Sequence, residues 1–399
     1  MPHWFVIWAS LGAATLAWTA TSAEASVISS PSLGGRNSGM GGADVATPED
    51  GPGILLSNPA GVVGQSGTRF NVSWFTIFFD GHYQRPDLGY DTKSSEIPIA
   101  PTLWLSTDRL APWFVGAGVY GSVGASFNFP GNPAVGIPNR FFSEMTTIHL
   151  GLVAGREIAP GLRLAIQPMP TYGRARAHYP SPFGPVSFDI AGAGIAGMVG
   201  LLYDVDERTT LGVGYRSPGI VYMSGDGEVG PAAEHVDWNL HLPQSVNFGL
   251  ARQITPRLLV AANARWTDYG QFEKGQLDFR AAEHAALDHG PFSATRATFR
   301  YGLGLEYALV KDHVWLRGGA SREQWMMEGS SLSPVIYDTG DVLFAIGLGA
   351  AYANWGVDFI AGIPYQEDRV VTAAENPAFP GRYSGGGGVA GISVTYRLD

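Results

Sequence analysis

The feature that most constrains this chain is a long series of segments in which apolar and polar residues alternate and aromatic side chains are frequent. Alternation with a period of two predicts β-strands that bury one face. An even number of strands is what a single bacterial chain needs to close into an outer-membrane barrel. We place fourteen strands, at 70–79, 100–106, 114–127, 146–157, 162–178, 187–203, 210–224, 237–253, 258–279, 297–309, 313–325, 341–352, 354–365 and 388–398.

The lengths of the connections separate the two ends of these strands. Links after even-numbered strands are short and turn-like: Ala159-Pro160-Gly161, Asp204 to Glu207, Thr255-Pro256, Lys311-Asp312 and Ala353. Links after odd-numbered strands are mostly long: 80–99, 128–145, 225–236, 280–296, 326–340 and 366–387, with a shorter Pro-rich loop at 179–186. Short turns at one rim and long loops at the other are typical of the periplasmic and extracellular ends of a membrane barrel.

The alternation also predicts which side chains face lipid. In the tenth segment one face carries Tyr301, Leu303, Leu305 and Tyr307, and the other carries Arg300, Gly302, Gly304 and Glu306. A charge on the lipid face near the bilayer midplane costs about 2–4 kcal/mol. We therefore expect the apolar set to face lipid and the polar set to line the lumen.

Composition agrees with this architecture and excludes other classes. Charged residues make up 15% of the chain, whereas soluble domains carry about 25%. No window after residue 25 has the ~18 apolar residues of a membrane helix. The net charge of −10 and the lack of a basic run exclude an electrostatic surface for nucleic acid. Scattered histidines and the absence of cysteine predict neither a metal site nor a cofactor.

The sequence predicts two segments that precede the barrel. Residues 1–25 have the short apolar core and small-residue cleavage pattern of a signal peptide. Residues 26–68 contain too much Gly for a stable helix or strand, yet they carry several apolar anchors. We interpret this second segment as a plug inside the lumen of a barrel formed by residues 69–399.

At this point the sequence resembles the FadL/TodX family of outer-membrane transporters for fatty acids and hydrocarbons. The resemblance is carried by an NPA motif before the first strand, Asn58, Pro59, Ala60 and Gly61, and by the runs 214–217, 265–272 and 315–319. It implies a fourteen-stranded barrel with an amino-terminal hatch in which the NPA segment moves. It also implies a third strand that kinks to open a lateral gap, which we assign to Gly116, Gly118, Gly121 and Gly124.

Basic residues of the inner wall are candidates for holding a ligand headgroup. By resemblance, the run Tyr172-Gly173-Arg174-Ala175-Arg176 marks such a wall, and charge-assisted bidentate hydrogen bonds suit a carboxylate. A structural role in holding the plug or pairing with lumen acids is the alternative for each. The candidates, all predicted to face inward, are Arg174, Arg176, Arg216, Arg265 and Arg317, with Arg300 as a further inward position.

Apolar residues of the predicted extracellular loops are candidates for capturing a hydrophobic solute: Phe129, Phe141, Phe142 and Phe183. Loops that pack only on each other are the alternative.

The sequence thus predicts a passive outer-membrane transporter, not an enzyme, for long-chain fatty acids or related hydrophobic compounds, surrounded by membrane lipid and lipopolysaccharide. A hydrocarbon channel of the same family remains open. So do an outer-membrane lipid hydrolase, with His149 or His178 beside a serine, and a structural barrel without a conducting path.

Overall fold

The structure is a computed structural model that describes residues 32–47, 51–137, 139–288 and 292–398. The predicted signal peptide lies outside these residues. The chain forms a closed antiparallel sheet in which the last strand pairs with the first, from Thr68 opposite Leu398 to Gln84 opposite Arg382. Fourteen strands form the barrel wall, which confirms the predicted fold class.

The strands are β1 Thr68–Arg85, β2 in two segments Tyr90–Glu96 and Ile99–Leu110, β3 Trp113–Phe129, β4 Phe141–Ala159, β5 Leu162–Ser181, β6 Gly184–Asp206, β7 in two segments Thr209–Arg216 and Gly219–Val229, β8 in two segments Ala232–Leu242 and Gln244–Thr255, β9 Leu258–Asp268, β10 Ala297–Val310, β11 Val314–Glu323, β12 Asp341–Tyr352, β13 Trp355–Gln366 and β14 Gly381–Leu398. Two short additional strands, Leu277–Phe279 and Arg369–Val371, pair with β8 and β14.

Among the described residues, helical structure is confined to the plug and the loops. An α-helix there, α1, spans Gly35–Gly39, and short 3₁₀ helices lie at Pro52–Leu55, Pro59–Val62, Pro86–Leu88, Pro133–Val135, Tyr269–Lys274, Ala282–Leu287 and Gly329–Ser331. Within these ranges, no helix has the length and apolar character needed to cross a membrane.

Three predicted extracellular loops are instead tall hairpins. The ladder between β1 and β2 continues to Arg85 opposite Tyr90, so most of the predicted loop 80–99 is strand. The loops 179–186 and 225–236 are likewise strand pairs with two-residue turns. The predicted ninth strand, 258–279, was too long, because it ends at Asp268 where a 3₁₀ turn begins. Strands that rise above the membrane meet water on their outer face, so they keep their hydrogen bonds but lose the alternation.

The predicted faces are confirmed. On β10, Tyr301, Leu303 and Leu305 are exposed on the outer surface, whereas Arg300 is only 4% exposed. The same alternation holds on β11, where Leu316 is exposed and Arg317 is buried. Apolar side chains therefore form the surface of the barrel, and polar ones point into the lumen.

The described part of the segment before β1, residues 32–47 and 51–67, lies inside the lower half of the barrel, and its apolar anchors are buried against the wall. Lumen-facing glycines accommodate its backbone. A side chain at Gly304 would come within 2.7 Å of the carbonyl oxygen of Met40, and one at Gly212 or Gly319 would also overlap plug backbone. Glycine in these strands thus permits close approach of the plug, as the sequence suggested.

Two apolar clusters lie in the lumen at different heights. A large cluster fills the extracellular half, and a smaller one joins the plug to the lower wall. Polar side chains occupy the inward positions between them, such as His149 on β4, Thr171 on β5 and Asn247 on β8. The functional site spans these layers.

Candidate ligand-binding site and exit route

The extracellular half of the lumen holds a cavity of about 470 Å³, which we call the upper cavity. Aromatic and aliphatic side chains from β3, β4, β5, β6, β8 and the long loops line it, among them Phe141, Met145, Trp238, Phe292 and Phe379. An apolar cavity of this size, within a barrel, suits a hydrophobic small molecule.

The four phenylalanines predicted to capture a solute lie in different environments. Phe141 lines the upper cavity and contacts Phe379 edge-on, with ring centroids 5.8 Å apart. Phe129 is fully buried and stacks on the neighbouring aromatic rings of the upper cluster. Phe142 is stacked under the guanidinium of Arg140, 5.0 Å from its ring. Phe183 is 45% exposed at the tip of the β5–β6 hairpin. Only Phe141 therefore contributes to the cavity wall among these four.

The barrel wall is interrupted between β2 and β3. Their ladder runs from the periplasmic turn to Leu103 opposite Val119, and no further pair joins these strands in the described chain. Above that point β2 pairs only with β1, and β3 only with β4. Pro98, between the two segments of β2, and Pro101, in the second segment, have no N–H to donate to a ladder. The ladder is therefore interrupted beside β3 from Val119 up to Asn128, whose N–H donates to Ser94 Oγ of β2 at 2.8 Å, and we call this interval the opening.

A β-bulge lies at this opening. Gly121 opposes Ile148 on β4 and Gly124 opposes Thr146, so β3 carries one residue more than its partner between them. A bulge bends its strand and shifts the alternation by one residue. Below the bulge the even-numbered Tyr120 and Ser122 face inward, and above it the odd-numbered residues do.

The four glycines assigned to a lateral gap divide into two pairs. Gly121 and Gly124 flank the bulge. Gly116 and Gly118 lie in the regular ladder below it, where a side chain at Gly116 would strike the ring of Trp104 and one at Gly118 would lie 2.5 Å from Leu55 of the plug. Gly116 thus makes room for Trp104 of the neighbouring strand, and Gly118 makes room for the plug.

A polar cluster lies on the lumen side of the bulge. Ser122 Oγ is 2.5 Å from His149 Nε2, and His149 Nδ1 is 2.7 Å from Thr171 Oγ1. Arg216 on β7 donates through NH2 to Ser122 Oγ at 3.0 Å and to His149 Nε2 at 3.1 Å. Thr171 in turn donates to the carbonyl of Met169. These contacts fit a ring protonated on Nδ1, with Nε2 as acceptor.

This cluster contains the serine and histidine that a hydrolase would need, since sequence reasoning had left His149 as one option. However, a general base must have its acceptor nitrogen free to take the serine proton. Arg216 already donates to that nitrogen, and Ser122 and His149 are 1% and 0% exposed. The arrangement therefore resembles an anion-binding group more than a nucleophile with its base.

Two of the five headgroup candidates lie on β5 and differ from each other. The odd-numbered residues point inward from Met169 to Ala175, which places Arg174 on the outer face, paired with Asp189, so its predicted inward orientation was wrong. Arg176 lies higher on the strand, where it pairs with Glu144 and lines the upper cavity with it. The exposed Tyr172, two residues from Arg174, was the sequence signal that this face is external.

The other three candidates do line the lumen, with different partners. Arg317 is ion-paired with Glu306 and Asp358, and Arg265 donates to Asn247 at 2.8 Å. Arg216 is 8% exposed, and within the described part of the chain it makes no ion pair with a carboxylate. Its Nε has no hydrogen-bond partner there either.

The NPA motif joins the plug to the wall. Asn58 donates to the carbonyls of Val45 in the plug and Leu201 on β6, at 3.0 and 2.9 Å, and its Oδ1 caps the 3₁₀ turn Pro59–Val62. Gly61 packs against Ile54 so closely that a side chain there would overlap it. These contacts fix the end of the plug against β4, β5 and β6.

Two further plug anchors were not predicted. Arg36 on α1 binds Glu306 of β10 through two hydrogen bonds, at 2.9 and 3.0 Å, and Arg317 binds the same carboxylate at 2.6 Å. The carbonyl of Leu55 accepts hydrogen bonds from Tyr120 on β3 and Gln167 on β5, each at 3.0 Å. The second anchor connects the plug directly to the strand that carries the bulge.

One plug carboxylate is buried among neutral donors. Asn37 Nδ2 and Ser32 Oγ lie 3.1 and 3.3 Å from Asp44 Oδ2. Burial raises the pKa of Asp44 to about 6, although Arg265 opposes the shift. Across the ranges that the structure describes, no group of three His, Asp or Glu side chains is arranged to hold a metal ion.

The comparisons with known proteins agree with this geometry. Residues 190–398, just over half of the chain, match the family model for outer membrane protein transport proteins (OMPP1/FadL/TodX). No curated protein matches the sequence.

Several solved structures share the fold. A FadL homologue from Pseudomonas aeruginosa superposes with a TM-score of 0.77 at 14% identity, over 93% of this chain and 100% of its own. The toluene transporter TbuX from Ralstonia pickettii gives 0.74 at 17% identity, over 92% and 99%. The toluene transporter TodX from Pseudomonas putida gives 0.71 at 18% identity, over 94% and 100%.

Proposed function

Because the chain belongs to the OMPP1/FadL/TodX family of outer membrane transport proteins, which carry hydrophobic compounds, we propose that it takes up long-chain fatty acids or related amphiphiles and does not act as an enzyme. The observation that carries this proposal is the apolar upper cavity next to an interrupted barrel wall. A solute in this cavity has a route to the membrane that does not pass through the plug.

The first step is capture from outside. The loops and hairpins that surround the upper cavity present apolar side chains, of which Phe141 lies in its wall and Phe183 at the rim. Transfer of an apolar molecule from water into this cavity removes apolar surface from water, which is favourable. The gradient of the solute then provides the net direction, and no nucleotide is needed.

The second step is lateral exit between β2 and β3, at the bulge flanked by Gly121 and Gly124. Such an exit lets the hydrophobic part of the solute enter lipid without crossing the polar lower lumen. The plug influences this exit through the hydrogen bond from Tyr120 to Leu55. A displacement of the segment Asn58–Gly61 would pull on that bond and move β3, which is the role we propose for the NPA motif.

The apolar upper cavity suits a hydrocarbon as well, so a channel for aromatic compounds is the second candidate. The names of TbuX and TodX favour it, because both are toluene transporters. A lipid hydrolase has less support, since Arg216 donates to the nitrogen that would serve as general base.

Uptake into liposomes tests these alternatives. Purified protein is reconstituted, and entry of oleate, toluene and a hydrophilic control, glucose, is compared with that into protein-free vesicles. Uptake of oleate without glucose supports the proposal, and uptake of toluene alone supports the hydrocarbon channel. If phospholipid in the same vesicles releases fatty acid, and the Ser122→Ala variant stops this, the non-enzyme proposal fails.

A further inference from the structure

A short segment completes the wall of the upper cavity above the end of β9. Residues 275–288, which we call the flap, follow the 3₁₀ helix Tyr269–Lys274. Leu277 and Leu287 of the flap line the cavity, as does Trp238 of β8. The opposite face of the flap is exposed, for example at Glu283. The flap is therefore all that separates this part of the cavity from the outside.

The flap and the opening beside β3 lie on different sides of the barrel. The flap continues the wall between β8 and β9, whereas the opening lies between β2 and β3. Six strands separate the two places in one direction and eight in the other. A movement of the flap would thus give the cavity a second, independent connection.

The ladder that joins the flap to the barrel is short. Three residues, Leu277–Phe279, pair with β8. In the middle of this ladder Asp278 is directly opposite Asp237, and like charges at such positions destabilise the pair. Arg280 Nε lies 3.0 Å from Asp237 Oδ2, but this ion pair is exposed and is screened by water. The ladder alone therefore holds the flap weakly.

One carboxylate fastens the middle of the flap to β8. Glu234 Oε1 accepts from the backbone N–H of Ala281 at 3.1 Å, and Glu234 Oε2 is 2.5 Å from Nδ1 of His284. Glu234 and His284 are both buried, so water competes little for these bonds. Hydrogen bonds to an ionised acceptor are about twice as strong as neutral ones. The flap therefore depends on the charge of Glu234 for its position.

An apolar side chain lies at the outer edge of the flap. The ring of Phe183, at the tip of the β5–β6 hairpin, is edge-on to the ring of His284, with centroids 6.2 Å apart. A solute that first contacts the exposed Phe183 is thus already beside the flap. Movement of the flap away from β8 would separate Leu277 from Trp238 and open the cavity at this point.

We propose that the flap is an entry gate of the upper cavity, through which a hydrophobic solute passes between the flap and β8 when Glu234 releases Ala281 and His284. Glu234 is a positioning residue in this gate, because it acts through the flap and does not contact the solute. The inference rests on the proposed uptake function and adds a route into the cavity that is separate from the exit between β2 and β3.

A reversible cross-link tests the gate. The chain has no cysteine, so Asp237→Cys combined with Asp278→Cys introduces one pair, at directly opposite positions of the short ladder. Cβ atoms at such positions are about 4.5–5.5 Å apart, close to the about 3.5–4.5 Å of a disulfide. We expect oxidised protein to take up no more oleate than protein-free vesicles, and reduction with dithiothreitol to restore uptake. The control pair, Val370→Cys with Arg382→Cys, joins the other short strand to β14 and should leave uptake unchanged in both states.

The kinetics of binding provide a second test. Glu234→Gln keeps the shape of the side chain and removes its charge, so the flap should open more often. We expect association and dissociation of cis-parinarate, a fluorescent long-chain acid, to become faster together by about tenfold in stopped-flow measurements. The dissociation constant should not change, because the flap only controls access. Glu283→Gln, on the exposed face of the flap, is the matched control and should alter neither rate.

Uptake that continues in the oxidised Asp237→Cys, Asp278→Cys protein would overturn the gate. So would a Glu234→Gln variant in which the affinity falls while the two rates do not rise together. If wild-type protein and the reduced cross-link variant take up neither oleate nor toluene, the uptake function itself is wrong. If both take up oleate and oxidation makes no difference, only the gate is wrong.

Discussion

The two sides of the barrel hold the plug in different ways. From β9 to β13 the ladders run without a gap, apart from a bulge at the periplasmic end of β10, and the ion pairs of Arg36, Arg317 and Glu306 fasten the start of the plug to the wall. Around β2, β3 and β4 the ladder is interrupted, and the plug is held by carbonyl hydrogen bonds and apolar packing at Leu55. The side from β9 to β13 therefore anchors the plug by ion pairs. The side around β2, β3 and β4 holds it only by neutral hydrogen bonds and apolar packing, which a displacement of the plug can alter at lower cost.

The largest effect on transport is expected from a change in β3, on the side of the barrel where the ladder is interrupted. Deletion of Val123 removes the extra residue of the bulge, so the strand above it regains the alternation of the strand below and loses its bend. We expect uptake of oleate into liposomes to fall to the level of protein-free vesicles. Deletion of Leu309, which lies in a second bulge at the periplasmic end of β10, is the matched control and should leave uptake intact. Equal uptake in both deletions would mean that the bulge has no part in transport.

A smaller effect is expected on the anchoring side. Glu306→Ala leaves Arg36 and Arg317 without their shared carboxylate, and breaking a buried ion pair costs about 3–5 kcal/mol. Since Arg317 retains Asp358, we expect the lower end of that range, read as a lower thermal unfolding midpoint in detergent. The control is Asp189→Ala, which removes an exposed ion pair worth about 0–1 kcal/mol. Equal shifts in the two variants would show that this side does not anchor the plug.

The smallest effect is on pH dependence. Burial raises the pKa of Asp44 to about 6, above its ordinary value, so the folded protein holds this proton more tightly than the unfolded chain. The resulting contribution to stability is complete below about pH 4 and is lost as pH rises through 6. Asp44→Asn should therefore unfold at a higher temperature than wild type at pH 7, and at the same temperature at pH 4. A difference that is constant over this range contradicts the assignment.

The sequence predicted the fold well because lipid imposes a strict rule on one face of every strand. That rule placed Leu303 and Arg300 correctly, and it extended to the glycines that face the plug. It gave less information where strands rise above the membrane, so the hairpins at 80–99 and 225–236 read as loops. The sequence therefore located the strands, but it did not show how far each strand extends above the membrane.

The site was less predictable because it depends on which way single residues point. Arg174 was assigned to the lumen although the parity of β5 places it outside. The contact between Ser122 and His149 follows from a one-residue bulge, and nothing in the local sequence fixes the position of that extra residue. The ion pair of Arg36 with Glu306 joins residues 270 positions apart, which no local pattern reveals.

The glycines beneath the plug have a consequence for its mobility. Where Met40 and Val45 rest on Gly304 and Gly212, the wall offers backbone and no projecting side chains. At these two points a small shear displacement of the plug would not have to move a wall side chain out of the way. Resistance to such a displacement therefore comes from elsewhere: from the hydrogen bonds and ion pairs of the plug and from the apolar packing around Leu55.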